Sequence, residues 1–289
     1  QLDAKQALDA DLTDLADGTL SASKVENGSY FISSAGSNGQ VWTSDGNGAG
    51  TWATNTGSGA ANITGLSDAL VESNSIYLGN DPSSTTSTAQ YNVGVGIDVM
   101  NAVTTGDNNV AVGFYSLKSN TTGEKNVAVG GASLTANTTG NLNTAVGYDA
   151  LAKNTTGLKN VGLGYLALTA NTTGYANTSL GTETLIANTT GEYNFGAGYE
   201  ALKSNTTGDR NIAIGTQAYD AADTENDNLA IGHEALGGSI AGGEYNVAIG
   251  NYSLDANTSG DENVAIGYSA LTANTTGEYN FGAGYEALK

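Results

Sequence analysis

The sequence predicts an all-β chain: a parallel β-solenoid (β-roll) of about twelve 17-residue coils. Three observations predict it. The first is a fixed stride. A short motif closes on Gly96, Gly113, Gly130, Gly147, Gly164, Gly181, Gly198, Gly215, Gly232, Gly250, Gly267 and Gly284; ten of those eleven steps are 17 residues, and Gly232 to Gly250 is 18. A period this short marks stacked supersecondary units and takes precedence over local motifs. The second is an alternation of large, small and large side chains before each glycine, the period-two signature of a strand. The third is composition. Glycine and β-branched residues fill the repeat interior, which opposes a helix.

Within one period, with the glycine as position 0, position −4 is always asparagine: Asn92, Asn109, Asn126, Asn143, Asn160, Asn177, Asn194, Asn211, Asn228, Asn246, Asn263 and Asn280. Position −3 is mostly bulky (Val110, Val127, Phe195, Ile212), position −2 is Ala, Gly or Ser, and position −1 is Val, Leu, Ile or Ala. Strand geometry sends the two bulky residues to one face and Asn, the small residue and Gly to the other. Position +4 is Leu in ten copies, with Met100 and Tyr219 as exceptions, and most copies close on Asn-Thr-Thr-Gly. That closure is turn chemistry, with Asn and Gly expected to supply positive φ. Seventeen residues leave room for two short strands and two turns. Coils stacking at about 4.8 Å give a rod of roughly 58 Å, with the asparagine amides hydrogen-bonded in a ladder.

One coil offers few large apolar side chains, each worth roughly 1.5–3 kcal/mol when buried, against a backbone ordering cost of roughly 1–2 kcal/mol per residue. A coil therefore cannot stand alone. The Val/Ile face needs a cover, and further copies of the chain meeting around a shared axis are the expected one.

The run Asn263-Val264-Ala265-Ile266-Gly267-Tyr268-Ser269-Ala270 resembles the head repeat of YadA-type trimeric autotransporter adhesins, and similar arrays occur in bacteriophage tail fibres and related virion fibres. The resemblance covers about residues 91–289 and implies a left-handed parallel β-roll, three chains side by side and a role in attachment. The regular Asn-Thr-Thr-Gly closure and constant period depart from the adhesin heads. Two N-terminal segments, Leu12-Thr13-Asp14-Leu15-Ala16-Asp17-Gly18-Thr19-Leu20 and Gly39-Gln40-Val41-Trp42-Thr43-Ser44-Asp45-Gly46, resemble stretches common in tail-fibre proteins.

Ahead of the array the chain reads in four parts. Leu8, Leu12 and Leu15 predict a short amphipathic helix or coiled-coil end within 1–25. The Gly/Ser-rich stretch 26–60 predicts short strands at Tyr30-Phe31-Ile32, Gln40-Val41-Trp42-Thr43 and Thr51-Trp52-Ala53, with Asp45-Gly46-Asn47-Gly48 as a hairpin turn. A linker at 61–74 carries one helical turn at Leu66-Ser67-Asp68-Ala69-Leu70-Val71. Residues 75–90 form a degenerate capping coil, with Gly79 lying 17 residues before Gly96 and Tyr77 in the small-residue slot. In the array at 91–289, the run Asp220–Glu225 and the loop Gly237–Gly243 depart from the usual turn, and 187–203 recurs identically as 273–289. A chain that starts at Gln1 and stops at Lys289 inside a repeat is expected to be a piece of a longer protein.

Composition narrows the function classes. The net charge is −20, which disfavours nucleic acid and anionic membranes as partners. No apolar stretch predicts membrane insertion, and there is no cysteine. Gly162-x-Gly164-x-x-Ala167 and its counterparts at Gly196 and Gly282 match a dinucleotide fingerprint by letter only, since each sits inside a repeat. Asp45-x-Asn47 starts like a calcium loop, but Thr56 stands where the loop needs Glu. His233 takes a slot that holds Tyr148, Tyr165, Tyr199, Tyr268 and Tyr285 elsewhere. No catalytic, cofactor or metal set emerges. Asn120, Asn137, Asn154, Asn171, Asn188, Asn205, Asn257 and Asn274 stand in Asn-x-Thr/Ser sequons, read as turns, with glycosylation as the alternative in a secreted eukaryotic protein.

The expected function is that of a non-enzymatic structural fibre, a rigid homotrimeric segment of a virion tail fibre that acts as spacer and attachment surface. Its other partner would be a host surface receptor or glycan, and its place the virion or the cell exterior. One alternative is the head of a bacterial surface adhesin binding host matrix or glycan. Another is an extracellular solenoid that binds ice or cations.

Overall fold

A computed structural model describes residues 40–44, 50–54, 69–72, 74–79, 82, 85–221, 223–238 and 243–289. The chain divides into two compact units, Gln1–Ser67 and Asp68–Lys289. In the first, β1 (Gln40–Ser44) and β2 (Gly50–Thr54) pair antiparallel, with Trp42 opposite Trp52. The turn between them, the segment 1–25 and Tyr30-Phe31-Ile32 lie outside the described residues.

The second unit is the predicted parallel solenoid. It opens on β3 (Ala69–Glu72) and β4 (Ser75–Leu78), and every coil then contributes one three-residue strand, from β5 (Val93–Val95) to β16 (Phe281–Ala283). Fourteen strands form one sheet in strict sequence order, and β4 to β16 are parallel. The register is in step with the sequence period: Val127 lies beside Thr144, and Ile249 beside Ile266. Two expectations need correction. The stretch expected to be a helical turn holds β3, which runs antiparallel to β4 and covers its open edge. The alternation of Leu70 and Val71 against Tyr77 and Ile76 is a cross-strand pattern that a six-residue window cannot tell from a helical turn. Second, each coil has one strand rather than two. Its other sides are turns whose amides still bond coil to coil, as in Leu134 N–H to Ala150 O (3.0 Å), Ala136 N–H to Ala152 O (3.0 Å) and Thr138 N–H to Thr155 O (2.9 Å).

Positive φ falls elsewhere than expected. Asn137 and Gly140 of the closure do not adopt it. It occurs instead at −5, +2 and +4 of each coil, for example at Lys125 (56°), Ala132 (55°) and Leu134 (49°), and at the motif glycine itself. Left-handed conformations at non-glycine residues cost about 1–2 kcal/mol each. The cost is tolerated at +4 because that geometry turns the side chain into the coil. Leu117, Leu134, Leu151, Leu168, Leu185, Leu202, Leu236 and Leu254 are fully buried in one file, with Met100 and Tyr219 in the same file. Around them pack the alanines of the strand centres, such as Ala111, Ala128 and Ala145, and the small residues at +3.

The size of the strand-centre residue follows its neighbour. A Cβ at Gly94 would lie 3.0 Å from the Tyr77 ring, so the aromatic plug of the capping coil is met by a glycine. Thr184 stands where most coils carry Ala or Ser, and Gly196 lies where its methyl would meet a Cβ at 2.6 Å. The motif glycines are required for a different reason. Gly113 has φ +130°, and a Cβ there would lie 2.6 Å from the carbonyl oxygen of Gly130.

Candidate interaction surface

Two files of asparagine run through the coils, and they work differently. The predicted file at −4 is buried from Asn92 to Asn263. From Asn92 to Asn263 each Oδ1 accepts the backbone N–H of the next asparagine, as Asn109 Oδ1 does from Asn126 (2.9 Å), and each Nδ2 donates to the carbonyl in the closing slot, as Asn126 does to Gly140 O (2.8 Å) and Asn211 to Glu225 O (2.7 Å). Amide-to-amide contacts occur only in part of this file, for instance Asn126 Nδ2 to Asn109 Oδ1 at 3.1 Å. The amide ladder predicted for −4 is instead found in the closures. Asn137 donates to Asn120 Oδ1 (2.8 Å), Asn154 to Asn137 (2.9 Å), Asn171 to Asn154 (2.8 Å), Asn188 to Asn171 (2.9 Å) and Asn205 to Asn188 (2.8 Å). These closure asparagines are fully buried, as is Asn257. Their amide nitrogens are sealed inside the folded coil, so a glycan on any of them would be incompatible with this packing, while Asn274 is only partly buried.

Sequence reasoning treated this second file as turn residues. Its signal was the same 17-residue spacing that identified the first. Closing glycines such as Gly123, Gly140 and Gly174 leave room for it: a Cβ at Gly174 would lie 2.7 Å from Gly191 O. The two closure threonines also divide their work. The first is half-buried and its hydroxyl donates to the next coil, as Thr138 does to Thr155 O (3.1 Å). The second, such as Thr139 or Thr156, is exposed.

The ladder breaks once. Positions 222 and 239, where the register calls for asparagine, are Ala and Ser, and Asn205 Oδ1 is buried with no hydrogen-bond partner. Here Tyr219 replaces the buried leucine and its hydroxyl meets Asn228 Nδ2. Burial holds the Tyr219 phenol well above its usual range. Glu225, buried, stands in the closing-glycine slot, and its Oε2 accepts the amides of Asp223 (2.9 Å) and Thr224 (3.1 Å). Partial burial also raises Asp220 and Asp255, each further raised by nearby Glu234.

The outer face of the sheet is a continuous apolar surface along the stack. The −3 and −1 side chains of β5 to β16 are half-buried at best, and Val93, Val95, Val112, Leu163, Ile212, Ile214, Ile266 and Phe281 are exposed. Two rims of larger side chains flank it. At −5 stand exposed Tyr91, Tyr193, Tyr245 and Tyr279. Beside that rim Tyr175 meets Tyr193 edge-on, and the Lys159 ammonium donates to the Tyr175 hydroxyl (2.5 Å). At +1 stand Phe114, Tyr148, Tyr165, Tyr199, Tyr268 and Tyr285, all exposed. Tyr148 stacks on Tyr165 at 6.1 Å and Tyr268 on Tyr285 at 5.5 Å. His233 keeps the expected slot in this column, and Tyr252 meets its ring edge-on at 5.3 Å.

A few charges on this surface are paired from coil to coil. Arg210 grips Asp227 of the next coil with two hydrogen bonds (2.7 and 2.8 Å), which raises the guanidinium and lowers the carboxyl. Glu200 is held below the usual carboxylate range, chiefly by Lys203, and also accepts from Tyr199 and Gln217. Among the described residues no group of three or more His, Asp or Glu could hold a metal ion. No described helix is long and apolar enough to cross a membrane. The fingerprint-like Gly162-x-Gly164-x-x-Ala167 spans β9 (Val161–Leu163) and the turn after it, with no helix to receive a phosphate. Comparison with protein-family models, curated proteins and solved structures gave no match.

Proposed function

We propose that this chain is a rigid segment of a homotrimeric fibre, of the kind that makes a virion tail fibre, and that it acts as a spacer and attachment surface. The observation that carries this reading is the apolar outer face of β5–β16. It follows the whole stack, roughly 58 by 10 Å in footprint. A continuous apolar strip of that size lies at the upper limit of what monomeric soluble proteins leave uncovered. The single strand of each coil has its Ala side buried within the chain and its Val/Ile side outside, so a second core forms only where copies meet. Neutral closures and a net charge of −20 keep the remaining surface soluble and discourage unlimited lateral growth. The exposed tyrosine columns favour a contact role in addition to a spacing one.

The test is the oligomeric state. Sedimentation equilibrium of the wild-type chain at micromolar concentration is expected to give three copies. The paired substitutions Val146→Lys and Ile214→Lys, both on the outer face, should give a folded species of lower mass. A wild-type monomer with unchanged β-sheet circular dichroism would overturn the fibre reading.

A further inference from the structure

We propose that the +1 rim between Tyr165 and His233 is a binding platform for a neutral, extended 1,4-linked glycan lying along the stack. This deepens the attachment part of the fibre reading and rests on it. The column is not uniformly filled. At one end Tyr148 and Tyr165 stack on each other, and at the other Tyr252 fills the space between His233 and Tyr268. Between these ends the column holds Tyr165, Thr182, Tyr199, Thr216 and His233 in successive coils. Rings therefore recur every second coil, at roughly 9.6 Å, with a short threonine between each pair. The Thr182 and Thr216 hydroxyls make no hydrogen bond among the described residues. Among those residues Tyr165 and Tyr199 make no ring contact with each other, and the residue between them in the column is the short Thr182.

The neighbouring +2 column carries polar groups on four successive coils: Glu183, Gln217 and Glu234 are partly exposed, while Glu200 is buried beneath the column. Three of the four are held by partners. Glu200 accepts from Gln217 Nε2 (3.1 Å), Lys203 and Tyr199, and Glu234 Oε1 lies 3.2 Å from His233 Nε2, whose Nδ1 lies 3.1 Å from Thr216 O. One ring per two coils, with partly exposed hydrogen-bonding groups beside them on three of the four coils, matches a polymer whose apolar sugar faces alternate along an extended chain. C–H groups of a pyranose pack on an aromatic face, and carboxylates and amides accept from its hydroxyls. Held on a stacked ladder, these groups lose little freedom on binding, which favours affinity. The acidic surroundings exclude anionic sugars and nucleic acid, whose stacking on the same rings would need a basic groove.

The test uses the full chain in its own oligomeric state, with cellohexaose and chitohexaose as probes and oligogalacturonate as the anionic comparison, by calorimetry. At least one neutral hexasaccharide is expected to bind and the anionic one not. Tyr199→Ala is expected to weaken binding about tenfold, the order of one lost aromatic contact. The double change Thr182→Tyr with Thr216→Tyr continues the filled tyrosine column seen at Tyr148 and Tyr165, so it should fold normally and abolish binding. Failure of both neutral probes to bind at millimolar concentration would overturn the proposal, as would binding unaffected by the double change. The mass of the same sample, measured by sedimentation, separates this failure from failure of the fibre reading.

Discussion

At the residue scale the two asparagine files make opposite demands on the same side chain. At −4 the amide ties its own repeat's closure, through Nδ2, to the start of the next repeat's strand, through Oδ1, side chain to backbone. In the closures the amides bond mainly to one another, and each nitrogen also reaches a glycine carbonyl, as Asn154 does to Gly157 O (3.1 Å). Removing one closure amide leaves a buried acceptor and a buried donor on either side of the gap. Asn154→Ala is therefore expected to destabilise the chain by about 3 kcal/mol, because unsatisfied buried polar groups cost far more than an average hydrogen bond contributes. Two residues on, Thr156→Ala removes an exposed hydroxyl with no hydrogen-bond partner among the described residues, and is expected to stay within about 0.5 kcal/mol. Denaturation midpoints of the two variants check the contrast. Equal effects would mean that the closures are held by backbone bonds alone.

At the scale of one coil, the break beyond Asn205 is expected to be a local weak point of the stack, since it leaves a buried acceptor unsatisfied. Six consecutive closure asparagines, Asn120 to Asn205, end on an acceptor with no donor. Ala222→Asn restores the missing donor at the right register, and is expected to add about 1 kcal/mol, one net hydrogen bond. Amide exchange around 206–228 should slow, while exchange around Asn154 stays unchanged. If the whole chain slowed equally, the gap would not be a local weakness. The coil also shows what the sequence could and could not reveal. Stride, strand and the −4 asparagines were legible because period-two alternation and a fixed repeat act through backbone geometry, which the letters encode directly. The second asparagine file was equally periodic, but a four-letter closure of turn-forming residues hid its burial. The left-handed φ at Lys125, Ala132 and Leu134 was illegible, because these residue types do not favour it and stacking alone imposes it. The strand at Ala69–Glu72 was misread because its partner, not its own pattern, makes it a strand. The rims were foreseen only in the tyrosine slot around His233. Which gaps between rings are filled depends on side chains from adjacent columns, such as Tyr252, that no single column reveals.

At the scale of the whole molecule, every coil touches mainly its two neighbours, so stability is a sum of coils and coil–coil interfaces. Length should then be adjustable in units of the stride and in no other unit. Deleting residues 131–147 joins Gly130 to Tyr148 and removes one period. Asn154 then stacks on Asn120, Leu151 on Leu117, and Val161 on Val127, so both asparagine files and the leucine file continue. That variant is expected to keep its β-sheet spectrum and melt within a few degrees of the wild type. Deleting 131–146 instead leaves an 18-residue step, and its extra residue falls ahead of the +4 position. Asp149 then enters the small buried slot at +3, Ala150 takes the leucine slot, and Asn154 misses its ladder by one residue. The wild-type chain tolerates an 18-residue step between Gly232 and Gly250 because there the extra residue comes after Leu236, where the closure ladder is already interrupted. The one-residue difference between the two deletions thus decides whether a carboxylate or an alanine faces the core, and burying an unpaired charge costs several kcal/mol. The 131–146 deletion should melt well below the 131–147 deletion, or in two steps. Equal melting of the two would show that the files are not continuous, and that the coils fold independently of register.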